Sequence, residues 1–205
     1  KTKGKFMAQS KILIVGGGSK FGMLLALEAK QYGDEVHIVT GTEDAVADRV
    51  IHVDWNHVST GDVMPKIDKD YDVVVFNQNG GGSPNDIVQE NVQLEHWNRA
   101  FFNNVQLPYY IAQHIEVKEN AKIVWMLSPV FHPRLRSDEF MFGGYAADKA
   151  YSYHMMKSFA TQKSKNYYGL APKHFGNGIT MYETIMNLTP DRSGKMLNEH
   201  GELWS

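Results

Sequence analysis

Lys11-Ile12-Leu13-Ile14-Val15-Gly16-Gly17-Gly18-Ser19-Lys20-Phe21-Gly22 runs from a short apolar segment into a cluster of glycines. The apolar run reads as a strand buried on both faces, as in a parallel sheet. Met23 to Tyr32, with Leu24, Leu25, Leu27 and Ala29, is rich in helix formers, and Gly33-Asp34 stops it. Glycines between a strand and a helix let the backbone turn tightly and approach a phosphate closely. The N–H groups and positive end of the helix then hold the anion. Gly16, Gly17, Gly18, Ser19, Lys20, Phe21 and Gly22 are therefore candidate cofactor-binding residues. The spacing is not the G-x-G-x-x-G of the common dinucleotide fingerprint, so the competing reading is a glycine-rich turn without a ligand.

Outward from this unit the pattern repeats. Val36 to Val39 predicts a second strand, Ala45 to Arg49 a short helix, and Val50 to Val53 a third strand. Tyr71 to Phe76 predicts a fourth strand and Ile123 to Leu127 a fifth. Gln89 to His114 reads as mostly helical, interrupted or kinked near Pro108, and Gly144 to about Lys165 as another helix. Ile179 to Leu188 fits a helix, Thr189 to Gly194 a turn, and Lys195-Met196-Leu197 a short final strand. Strands alternating with helices indicate a doubly wound α/β fold: a parallel sheet with helices on both faces. No repeat or composition shift divides the chain, so residues 1–205 are expected to form a single domain.

Bulk properties narrow the function classes. The chain has 205 residues, 42% of them hydrophobic, enough for one domain with a sizeable core. Its formal net charge of −2 implies no general attraction to nucleic acid or to an anionic membrane. There is no cysteine, which excludes disulfides, thiolate catalysis and zinc–cysteine sites and is compatible with a reducing cytoplasm. No apolar run approaches the roughly 20 residues of a membrane helix. Residues 1–10 are expected to be a flexible N-terminus or a tag remnant, with Lys1 to Phe6 preceding a native Met7.

The tip of the second strand bears on which dinucleotide would fit. An acidic residue there takes the ribose hydroxyls and favours NAD. Here the strand ends in Thr40-Gly41-Thr42, with Glu43 and Asp44 further out. Lys20 in the glycine loop could pair with a 2′-phosphate, and Thr42 adds a hydroxyl donor. NAD and NADP both stay open, with a lean to NADP. Asp54, at the end of the third strand, could bond an adenine amino group or simply cap a turn.

Tyr145-Ala146-Ala147-Asp148-Lys149 holds the candidate chemistry. Four residues apart in a helix, Tyr145 and Lys149 share a face. A free phenol, with a pKa near ~10, is a poor acid or base at neutral pH, and a nearby ammonium lowers that value. A tuned tyrosine can then exchange a proton with a substrate oxygen. Alone, the pair is indistinguishable from an ordinary helix turn.

The order of these pieces resembles the short-chain dehydrogenase/reductase family, a Rossmann-fold family using NAD or NADP. The glycine loop ends the first strand, Asn77-Gln78-Asn79-Gly80 the fourth and Ser128 the fifth, while Asn104 lies in the intervening helix. Tyr145 and Lys149 follow, so the resemblance covers about residues 11–165. It implies that Tyr145 exchanges the proton at a substrate carbonyl or hydroxyl. Lys149 would hold the nicotinamide ribose and lower the tyrosine pKa, Ser128 would bond the substrate oxygen, and Asn104 would hold a water in a proton relay. Gly16, Gly22 and their neighbours would cradle the pyrophosphate, and Asn77, Asn79 and Gly80 would border the cofactor. The activity implied is interconversion of a carbonyl and an alcohol on a small molecule, in a homodimer or homotetramer.

Departures from the family pattern are local. Its T-G-x-x-x-G-x-G has Val15 at the first position and Lys20 at the middle glycine, and its N-N-A-G is Asn77-Gln78-Asn79-Gly80 here. Ser128 stands seventeen residues before Tyr145, against about a dozen in the family, so His132 and Ser137 compete with it. The family's sixth strand has a possible remnant in Tyr168 to Lys173, and residues 166–205 are expected to be a shortened substrate-side segment. An epimerase or isomerase, or a non-catalytic nucleotide-binding sensor or structural relative, are the alternatives. The nine histidines show no metal-binding spacing. Phe101, Phe102, Tyr109, Tyr110, Tyr151, Tyr153, Met155 and Met156 are read as core or as an interface between subunits.

Overall fold

The structure is a computed structural model. It describes residues 9–41, 46–53, 66–78, 98, 100–128, 143–162, 165–172 and 178–204, without the side chains of 143–146 and 178–180. In chain order the elements are β1 (Lys11–Val15), α1 (Lys20–Gln31), β2 (Glu35–Thr40), β3 (Arg49–His52) and β4 (Tyr71–Phe76). A π-helical stretch (Phe102–Gln106) leads into α2 (Leu107–His114), followed by β5 (Val117–Met126) and α3 (Gly143–Gln162). The chain closes with β6 (Asn166–Leu170), α4 (Gly178–Met186), a short 3-10 turn (Pro190–Arg192) and β7 (Met196–Leu197).

The seven strands form one sheet in the order β3-β2-β1-β4-β5-β6-β7. Every pairing is parallel, with Ile12 of β1 in register with Val36 of β2 and Val73 of β4. The chain winds outward from β1 to β3, crosses back to β4, and winds outward the other way. Beyond the carboxyl ends of β1 and β4 this reversal leaves a crevice, the usual ligand position in such sheets.

Strand alternation divides the core into two layers. Leu13, Val15, Val74, Phe76, Ile123 and Trp125 face Phe102, Leu107, Ile111, Met156 and Phe159 of the α2–α3 layer. Ile12, Ile14, Val73, Val75, Val124 and Leu170 face Phe21, Leu25, Ala29, Met181 and Ile185 of the α1–α4 layer. Each such side chain contributes roughly 1.5–3 kcal/mol by leaving water.

The structure differs from expectation in two places. Residues 46–48 form no helix. The Asp48 N–H donates to the Val36 carbonyl, and its carboxylate accepts from the Val36 N–H, each at 2.8 Å, which feeds the chain directly into β3. Strand β5 begins six residues before the expected Ile123, with a register shift between Tyr71 and Val73 of β4. The expected helix near Ile179 to Leu188 and the expected final strand at Lys195 to Leu197 form as Gly178–Met186 and Met196–Leu197, and Asn166–Leu170 adds a further strand of the sheet.

Candidate functional site

The glycine loop sits in the crevice. Gly16 has φ +83°, where a side chain is strained, and a Cβ there would come within 2.9 Å of the Gln78 backbone. Its N–H donates to the Val39 carbonyl, while the Asn77 N–H donates to the Val15 carbonyl, both at 2.8 Å. The loop is thus clamped between β2 and β4. Gly22 lies so close to Gly17 that a Cβ would approach its Cα to 2.7 Å.

Ser19 caps α1, its Oγ accepting the Gly22 N–H at 3.1 Å. The Asn77 amide donates to Ser19 Oγ at 2.8 Å and to the Gly16 carbonyl at 3.2 Å. One buried amide from the end of β4 therefore fixes both the loop and the helix N-terminus. Gly17 and Gly18 complete the turn, and Lys20, the first residue of α1, is exposed. Phe21 turns its ring into the core, which leaves its backbone for the loop.

Thr40 is buried at the end of β2, its carbonyl accepting the Val53 N–H at 3.0 Å. No carboxylate lies at this tip as far as Gly41. Thr42, Asp54, Asn79 and Gly80 lie outside the described residues, as do His132 and Ser137.

The second part of the site is built on helices. Pro108 stands four residues after Asn104 and lacks the N–H that would bond the Asn104 carbonyl. The helix there opens into the π-helical stretch, with the Leu107 N–H reaching back to the Phe102 carbonyl. The Asn104 carbonyl lies 3.0 Å from the Ser152 hydroxyl of α3, which shares its proton with the Asp148 carbonyl at 2.9 Å, and the Asn104 side-chain amide donates to Asp148 Oδ2 at 3.1 Å. Both Asn104 and Asp148 are buried.

Lys149 is buried and extends its ammonium to the open ends of β4 and β5. It donates to the Gln78 carbonyl at 3.1 Å and to the Met126 carbonyl at 3.0 Å. Burial lowers its pKa to about 8, against which the Asp148 carboxylate acts. Burial pushes the Asp148 carboxyl up, while the Asn104 hydrogen bond and Lys149 pull it down. Ser128, also buried, lies two residues beyond Met126. Tyr145 lies on the first turn of α3, one turn before Lys149, with its side chain outside the described set.

The structure therefore joins Gly16, Ser19 and Asn77 in one cluster, and Asn104, Asp148 and Lys149 in another, with Gln78 between them. Sequence reasoning missed Gln78, Asp148 and Ser152. Asp148 stood in plain view inside Tyr145-Ala146-Ala147-Asp148-Lys149, but nothing local marks it as buried. The Gln78 side-chain amide is itself buried, and its nitrogen has no hydrogen-bond partner among the described residues. A buried donor without a partner at the crevice fits a site built to receive a polar ligand. Among the described residues no group of three or more His, Cys, Asp or Glu is placed to hold a metal. None of the described helices is long and apolar enough to cross a membrane.

No family model matches the chain, and no curated protein sequence matches it. Solved structures do. A carbonyl reductase from Pseudomonas aeruginosa PAO1 superposes with a TM-score of 0.73 at 16% identity, over 96% of this chain and 99% of that one. A short chain dehydrogenase from Salmonella enterica serovar Typhi CT18 gives 0.70 at 14% identity, over 97% and 99%. A gluconate 5-dehydrogenase from Burkholderia cenocepacia J2315, in complex with NADP and tartrate, gives 0.67 at 16%, over 94% of each chain. Over nearly its whole length, the chain has the Rossmann-type α/β fold of the short-chain dehydrogenases and reductases.

Proposed function

We propose that this protein is an NAD(P)-dependent oxidoreductase that interconverts a carbonyl and an alcohol on a small molecule, with Tyr145 as general acid and base. The observation that carries this reading is Lys149. A buried ammonium, held by the Gln78 and Met126 carbonyls, sits one turn after a tyrosine at the carboxyl ends of β4 and β5. An ion is costly to bury, and a scaffold that places one here without a chemical use is hard to account for.

Each residue then has a task. The glycine loop and the start of α1, fixed by Ser19 and Asn77, would bind a pyrophosphate, with Gln78 offering its amide nearby. Thr40, Asp54, Asn79 and Gly80 would border the nucleoside. Lys20 and Thr42 would favour NADP, a lean supported by Thr40-Gly41, which carry no carboxylate at the end of β2, and by the NADP in the gluconate 5-dehydrogenase complex. When bound, the nicotinamide supplies or accepts the hydride. Lys149 would hold its ribose and keep Tyr145 acidic. Ser128 would bond the substrate oxygen and Asn104 would support the proton relay. The protein would work as a homodimer or homotetramer in the cytoplasm, and the absence of cysteine fits a reducing compartment.

Titration with NADPH and NADH, followed by nicotinamide fluorescence, tests the reading. Binding of either at tens of micromolar or tighter is expected, with NADPH favoured. Binding of neither overturns it. Tyr145→Phe should bind the nucleotide as the parent does and lose turnover of any substrate found; retained turnover removes Tyr145 from its role.

A further inference from the structure

We propose that Asp148 is a positioning residue for the reaction: held by Asn104, it supplies the buried negative charge that balances the Lys149 ammonium. This rests on the role of Lys149 proposed above.

Asp148 and Lys149 are both buried, at 4% and 5% exposure. The Gln78 and Met126 carbonyls, to which Lys149 donates, carry no net charge. Neutral acceptors satisfy donors but do not offset the cost of burying a cation, for which an opposite charge is needed. Among the described residues, Asp148 is the charged group acting on Lys149. Among the described residues, the strand-end carbonyls of β4 and β5 also face it and, through Asp148, the side chain of Asn104. Tyr145 is the titratable residue one turn earlier on α3.

The geometry separates the two charges while keeping them close. Neighbours in a helix point about 100° apart. Lys149 therefore reaches the strand ends while Asp148 turns to the π-helical stretch, where the Asn104 amide meets it. Asp148 acts through space and leaves the lysine N–H donors to the carbonyls and to the ribose of the proposed cofactor. The Ser152 hydroxyl, 3.0 Å from the Asn104 carbonyl and 2.9 Å from the Asp148 carbonyl, joins the two segments that hold this carboxylate. A negative charge at 148 thus keeps Lys149 an ammonium, and the ammonium keeps the Tyr145 phenol acidic.

The test is Asp148→Asn, which keeps an acceptor for Asn104 and removes the charge. Lysine side-chain NMR on 13C-labelled protein, with Lys149→Met to identify the resonance, reads the Lys149 titration directly. The midpoint should fall by about one pH unit or more, a tenfold change in proton affinity, and Asp148→Glu should restore part of it. An unchanged midpoint in Asp148→Asn overturns the inference. If Asp148→Asn does not fold, the parent protein still decides: Lys149 is expected to be an ammonium at pH 7, and a neutral Lys149 there overturns the inference. Nucleotide binding separates the two ideas. A parent protein that binds neither NADPH nor NADH sinks the functional reading, whereas an unmoved Lys149 titration sinks only the role of Asp148.

Discussion

The Ser152 hydroxyl shares its one proton between the Asn104 carbonyl, forty-eight residues away on another helix at 3.0 Å, and the Asp148 carbonyl one turn earlier on its own helix at 2.9 Å. Four residues on from Asn104, where a helix would supply the donor, stands Pro108. The missing N–H and the tertiary hydroxyl are thus two halves of one arrangement. Removing the hydroxyl in Ser152→Ala takes this shared donor from the buried link between the two helices, at an expected cost of about 0.5–1.5 kcal/mol. In a Pro108→Ala background the Asn104 carbonyl regains a helical N–H, so the same change should cost less. A urea-denaturation double-mutant cycle measures the coupling. Strictly additive effects would show that the proline and the serine do not share this carbonyl.

How much of this was legible in the sequence follows from the range of the forces involved. The β1–loop–α1 unit could be read because its signals are local: an apolar run, glycines and a serine cap within twelve residues. The disruption near Pro108 could be read for the same reason. That the released carbonyl meets Ser152 could not, because the contact depends on how α3 packs. Nothing in the local sequence marks Asp148 as buried, since its burial and its bond to Asn104 come from how α3 packs. The β6 segment Asn166-Tyr167-Tyr168-Gly169-Leu170 gave little sign of a strand on its own, and its pairing with β5 and β7 makes it one. At Asp48 a plausible helical run lost to two hydrogen bonds with Val36 across the chain.

Gly22 tests whether the loop is a close-packed support for α1. An added Cβ would meet the Gly17 Cα at 2.7 Å and its carbonyl oxygen at 2.8 Å, backbone atoms that cannot rotate away. Gly22→Ala should destabilise the fold by roughly 1–3 kcal/mol through overpacking. It should also weaken nucleotide binding by displacing Gly17 and the helix N-terminus. Thermal melts and NADPH titration of the variant measure the two effects. A variant as stable as the parent would contradict the packing argument.

The proposed oligomer has a visible surface to use. Phe101 and Tyr151 pack edge to face at 6.0 Å yet are 38% and 52% exposed, and Tyr109 and Tyr110, further along the chain on α2, are exposed as well. Exposed aromatics grouped on adjoining helices are a common mark of an interface. The double variant Phe101→Glu with Tyr151→Glu should therefore sediment as a monomer at micromolar concentration while the parent sediments as a dimer or tetramer. A monomeric parent removes the oligomer from the proposal.

Lys149 makes a prediction for the pH dependence of stability. In the folded chain burial lowers its pKa to about 8, and on unfolding it returns to the ordinary lysine value. Between the two the unfolded chain binds more protons than the folded one, so stability rises with pH across that window. Below about pH 8 the full penalty is present, on the order of 3 kcal/mol for a displacement of this size. Tyr167 and Tyr168 set the upper limit of the measurement. Burial raises both phenols to about 12, so above the ordinary tyrosine value the unfolded chain loses protons that the folded chain keeps, and stability falls. Urea midpoints measured from pH 7 upward should therefore climb and then turn over. Lys149→Met has no ammonium to bury at this site, so its climb should shrink to what Lys122, whose pKa burial also lowers, contributes, while the fall stays. A parent protein whose midpoint is flat from pH 7 to the turnover would mean that Lys149 is not under strain from burial.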